Sequence, residues 1–280
     1  MIEAVLALVF GLLIGSFLNV CIHRWPRDFS VVRPRSHCPA CEKTIAWYDN
    51  IPLASYLALR GRCRHCGARI SWRYPVVELL TGLLFFYFVR ELGATVAALK
   101  MCVFSAMLVA LIFSDLEMRI LPDELTLGGT LAGLVFSAFV PMPESIVPLA
   151  FWLATRQLFG QGVQLSGRAH SLVEAAAGAA VPAFLLWVAG WFYERVRHRE
   201  GLGFGDVKLI AMVGSFLGLS GALLTLAGGS LAGSIIGYAY IRVTRKDPST
   251  YELPLGTFLS IAALALGLAA PRVLNWYGSL

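Results

Sequence analysis

Long apolar runs occupy most of the chain, and nearly all the charged residues gather in the short segments between them. Runs of this kind predict helices that cross a bilayer, since roughly 20 apolar residues span its hydrocarbon core. The pattern places eight of them, at 2–22, 75–90, 95–115, 124–140, 172–193, 206–219, 221–241 and 254–271. The segment 141–171 is long, and 147–159 within it is apolar enough to lie along the interface as a short helix. The expected fold class is all-α, a polytopic membrane protein of about eight transmembrane helices.

Composition strengthens that reading: 58% hydrophobic and 14% charged residues, with a mean hydropathy of +0.70, exclude an ordinary soluble domain. Of the 23 Lys and Arg residues, 18 fall in 23–74, 115–123, 194–208 and 242–253, which the helix count puts on one side. The positive-inside rule makes that side cytoplasmic and turns both termini outward, as expected for a protein of the bacterial inner membrane. The first run begins Met1-Ile2-Glu3 and has its basic residues, Arg24 and Arg27, after it, which predicts a retained helix rather than a signal peptide. Basic loops facing anionic headgroups account for the net charge of +6, so no nucleic-acid partner is implied. No internal repeat of about 20 to 50 residues stands out.

Three constellations carry chemistry. Cys38-Pro39-Ala40-Cys41 and Cys63-Arg64-His65-Cys66 stand in the large loop after the first helix, with 21 residues between them. Two such pairs make a tetrahedral site for zinc, and four thiolates close its coordination shell, so the zinc is expected to be structural. A disulfide or a redox pair is the alternative, disfavoured in a reducing cytoplasm. His37 and His65 flank the site as neighbours rather than ligands, and Cys21 and Cys102 lie in apolar runs as small hydrophobes.

The other two are acidic motifs at predicted helix ends, Asp115 to Asp123 and Gly203-Phe204-Gly205-Asp206. Carboxylates at membrane depth are expensive and mark function. Two that converge on one water can divide acid and base roles. The two glycines are expected to turn the backbone tightly ahead of Asp206. Asp115 and Asp123 both offer themselves as its partner; Asp115 closes a helix, whereas Asp123 can cap the next one. A cation transporter is the rival class, although its sites usually sit at the bilayer midplane.

These residues resemble the type IV prepilin peptidase family, a branch of the GxGD membrane aspartyl proteases. Gly15-Ser16-Phe17-Leu18-Asn19-Val20-Cys21-Ile22-His23-Arg24-Trp25-Pro26 is similar to the family's opening GSFLNVxIHRxP. The paired cysteines, Tyr74 to Gly82, the Asp115 to Asp123 segment and Gly201 to Leu209 follow in family order. Leu253-Pro254-Leu255-Gly256-Thr257-Phe258-Leu259 departs from the usual PFGPFL at Leu255 and Thr257. The resemblance implies cleavage of the basic leader of prepilins or type II secretion pseudopilins at the cytoplasmic face. It also implies methylation of the new N-terminus from S-adenosylmethionine, and it makes Asp115 and Asp206 the catalytic pair.

On this reading 1–74 is the first helix with the zinc-binding, N-methyltransferase region, and 75–280 is the protease core. Asn19, Arg24 and Glu78 border the methyltransferase surface, each with an equally plain structural role as a helix-end group. Gly229, Gly233 and Gly237 predict a helix-packing seam, and Pro182 predicts a kink in the fifth helix.

Overall fold

A computed structural model describes residues 1–142, 156–157, 166–198, 202–244 and 253–277, the last six by their backbone alone. The interfacial helix expected at 147–159 and Gly201 lie outside the described residues, apart from 156–157. Among the described residues the chain is helical, with no strand beyond two isolated bridges. The helices are α1 (Ile2–Arg24), α2 (Ala54–Ala58), α3 (Arg73–Leu92), α4 (Val96–Met118), α5 (Asp123–Ser137), α6 (Gly167–Arg197), α7 (Phe204–Thr244) and α8 (Leu255–Tyr277). Among the described residues four stretches are long and apolar enough to cross a membrane: Ile2–Arg27, α4, α6 and α7. Leu255–Pro271 is a shorter apolar helix. The chain forms two compact units, Met1–Ser114 and Asp115–Leu280, and the boundary expected at residue 74 falls inside the first.

In the first unit α1 packs along α3. A Cβ on Gly15 would come 2.6 Å from the Glu78 Cα, and one on Gly11 would come 2.8 Å from the Gly82 Cα. Only glycine lets the two backbones meet so closely, which is how small residues drive helix association where lipid removes the hydrophobic incentive. Arg24, buried at the end of α1, donates to the carbonyls of Ser30 (2.8 Å) and Pro34 (2.7 Å) and so folds the following loop back onto the helix.

The second unit gathers α5, α6 and α8 around α7. At 41 residues α7 would run about 60 Å, twice the hydrocarbon thickness. It does not run straight: Gly218 takes φ 74°, ψ −175°, and divides it into the two helices that the sequence pattern separates near residue 220. A break inside an apolar bundle frees backbone donors, each costing about 1–3 kcal/mol if left unpaired. Buried Glu174 on α6 answers one of them, its Oε1 accepting from the Leu219 N–H at 2.9 Å. Pro182 lies inside α6, whose helix continues through it, whereas in α7 the non-helical backbone is at Gly218.

Beyond the break, the predicted glycine seam faces α8 and the residues leading into it. A Cβ on Gly229 would come 2.8 Å from Leu259, and one on Gly233 3.1 Å from Phe258, while Gly237 abuts Leu253. This seam fixes where α8 begins, and the first turn of α8 carries part of the site.

Candidate active site and metal centre

The four cysteines of the first unit come together as expected, their sulfurs all within 4.8 Å of one another. All four are free thiols, not disulfides. Two copies of one turn hold them. Glu42 N–H donates to Cys38 O (2.8 Å) and Gly67 N–H to Cys63 O (2.9 Å). Cys38 N–H donates to Lys43 O (3.0 Å) and Cys63 N–H to Ala68 O (2.8 Å). Ile45 pairs with Ser36 and Ile70 with Gly61, both at 2.8 Å. Glu42 and Gly67, in equivalent places, both have positive φ, 57° and 70°.

The turns therefore form an internal duplication, contrary to the expectation of no repeat. Its sequence trace is Cys-x-x-Cys-x-x-x-Ile-x-Trp, at Cys38 to Trp47 and again at Cys63 to Trp72.

The cluster suits a tetrahedral ion: ligands at about 2.3 Å from zinc stand about 3.8 Å apart, and Cys38 and Cys66 Sγ are 3.8 Å apart. The N–H groups of Cys66 and His65 point at the Cys63 sulfur and lower its thiol to about 7, the polarity a thiolate ligand needs. Arg64 forks onto Asp49 at 2.8 and 2.6 Å and holds that carboxyl below its ordinary value, tying the second turn to the loop around Trp47. His37 and His65 are not among the clustered ligands.

The acidic site lies within the second unit. Asp115 stands in the last turn of α4 and Asp206 in the first turn of α7, 6% and 9% exposed, close enough for their charges to interact. The start of α8 joins them. Thr257 donates to Asp115 Oδ2 through its backbone N–H and its hydroxyl, both at 2.7 Å. Neighbouring Gly256 lies against Asp206, where a Cβ would come 3.2 Å from Oδ1. Leu121 wedges beside them: added Cβ atoms would come 2.9 Å from it at Gly256 and 3.2 Å from it at Gly205.

The backbone turns at Gly203, whose carbonyl accepts from Asp206 N–H at 3.1 Å, without a positive φ at either glycine, and Gly205 allows the close approach of Leu121. One expectation about these motifs needs correction. Asp123 does not cap α5 through its side chain. Pro122 holds the cap position, and Asp123, exposed in the first turn, accepts from Lys208 Nζ at 2.6 Å. Lys208 lies near the start of α7, so a full charge from a second helix, rather than the backbone N–H groups of α5, engages that carboxylate.

Asn19, Arg24 and Glu78 are engaged in the framework of the first unit. Asn19 Nδ2 donates to Tyr74 O at 3.1 Å, and Glu78 Oε2 accepts from Leu53 N–H at 2.9 Å, where Leu53 has φ 59°. Sequence reasoning missed Glu174, Leu121, Gly256 and Thr257 as contributors. The departure from PFGPFL at Thr257 was the signal for the last of these.

Helix ends that bring two buried carboxylates together define an acid pair in a multi-pass membrane protein. Residues 9–92 match the bacterial peptidase A24 N-terminal domain and residues 102–238 the type IV leader peptidase family. The chain is 43% identical over 248 residues to the prepilin leader peptidase/N-methyltransferase of Myxococcus xanthus, covering 88% of this chain and 66% of that one. It is 35% identical to the protein of the same description from Stutzerimonas stutzeri, covering 91% of this chain and 87% of that one. For the Aeromonas hydrophila protein, again so described, the figures are 34%, 97% and 92%. The chain belongs to the type IV leader peptidase family. No solved structure matches it.

Proposed function

We propose that the chain removes the leader peptide of type IV prepilins or type II secretion pseudopilins at the cytoplasmic face of the bacterial inner membrane, using Asp115 and Asp206. The observation that carries this is the meeting of the two buried carboxylates at the start of α8. Two carboxylates so close do not readily ionise together, so one keeps a proton. Asp115, which already receives two donors, acts as the base and takes a proton from water as its oxygen attacks the scissile carbonyl. Asp206 gives its proton to the carbonyl oxygen, and collapse of the tetrahedral species expels the amine with a proton returned from Asp115 while Asp206 takes back the proton of the hydroxyl that re-forms the carbonyl.

The chain then transfers a methyl group from S-adenosylmethionine to the new N-terminal amine, the second activity in the relatives' name. Residues 1–74 are the region proposed for it. A cavity of about 420 Å³ there, lined by Ser16, Arg35, Trp47 and Asn50 among others, has the size of a small-molecule site and offers a cation, Arg35, for a carboxylate and an aromatic face for a base. Zinc on Cys38, Cys41, Cys63 and Cys66 holds the loop together structurally, since four sulfurs leave no position open for substrate. All eight membrane helices expected from the sequence span, with the cysteine loop inside.

Membranes containing the chain, given a prepilin, are expected to yield a product lacking the leader and, with S-adenosylmethionine, heavier by one methyl group. An uncut prepilin would reject the reading. A reporter fused after Leu280 should read as periplasmic and one after Arg199 as cytoplasmic; the reverse would reject the topology.

A further inference from the structure

Asp115 is held by one oxygen. Both donors of Thr257 converge on Oδ2, at 2.7 Å each, while Oδ1 takes no hydrogen bond from any described residue. The N–H belongs to the first turn of α8, where backbone donors lack a helical partner and favour a carboxylate. It also lies 3.2 Å from Pro254 O, so the hydroxyl is the donor committed to Asp115 alone. Thr257 is itself 4% exposed and is placed by the glycine seam between α7 and α8, so its hydroxyl has little freedom to turn elsewhere.

We infer that Thr257 is a positioning residue for Asp115, anchoring Oδ2 so that Oδ1 faces the water it deprotonates. A proline, which the family's usual motif carries at this place, has neither N–H nor hydroxyl, so the anchor is a feature of this chain rather than of the motif. The inference rests on the two-aspartate reading and names how its base is aimed.

The test is the rate of prepilin cleavage by Thr257→Val and Thr257→Ser at equal membrane abundance, with Asp115→Asn alongside. Val keeps the shape and the backbone N–H but lacks the hydroxyl, so kcat should fall about tenfold with KM unchanged, the loss expected for one charge-assisted hydrogen bond. Ser restores the hydroxyl and should stay within about twofold of wild type. Wild-type kcat in Thr257→Val, a loss in KM alone, or equal losses in Val and Ser would overturn the inference. Should Asp115→Asn cleave normally, the two-aspartate reading itself fails; should it be inactive while Thr257→Val is normal, only the role of Thr257 fails.

Discussion

The cysteine cluster and the aspartate pair are built in opposite ways. Each half of the cluster is a local turn closed by hydrogen bonds between residues four, five and nine apart, and the two halves repeat one another. The aspartate pair is assembled from the ends of three helices, and its tightest contact joins residues 142 apart in sequence. A local site declares itself by spacing, whereas a dispersed one shows only its most expensive residues, the membrane-edge acids.

That contrast predicts separable losses. Asp206→Asn keeps the shape of the side chain but cannot hold or release the proton, so cleavage should fall at least about a thousandfold with zinc content unchanged. Metal analysis beside a cleavage assay checks both halves; loss of zinc in this variant would break the separation. Cys38→Ser or Cys63→Ser should take the protein from about one zinc per chain to nearly none and make the loop sensitive to protease, leaving part of the cleavage activity. Full metal retention would reject the four-sulfur site.

The smaller effects sharpen the picture of the acid site. Gly256→Ala puts a methyl group against Leu121 and Asp206, and the displacement should lower kcat roughly tenfold. An unchanged rate would mean that the start of α8 yields freely. Lys208→Gln removes an ion pair whose carboxylate is 57% exposed, and cleavage should change by about threefold or less, since such pairs contribute little.

Much of the helical framework was legible in advance. The eight apolar runs all appear as helices, including the separation of 206–219 from 221–241, which the structure makes with Gly218. The four cysteines were legible because their geometry is written in two short spacings. The duplicated turns were not, because so few of their residues recur. Nor could spacing show that Glu174 supports the break at Gly218 or that Thr257 reaches Asp115, since neither pairing has a periodic trace and both arise only when the helices pack. The cap role expected of Asp123 fails for the same reason: its partner, Lys208, comes from another helix.

Asp115 and Asp123 frame the same loop and differ in surroundings, one buried and anchored by Thr257, the other exposed and paired with Lys208. Cleavage of a prepilin by Asp115→Asn and Asp123→Asn, side by side at matched membrane abundance, therefore tests the proposed acid pair most directly. The account predicts no detectable cleavage with Asp115→Asn and a rate within about threefold of wild type with Asp123→Asn. An inactive Asp123→Asn beside an Asp115→Asn that cleaves at nearly the wild-type rate would contradict it.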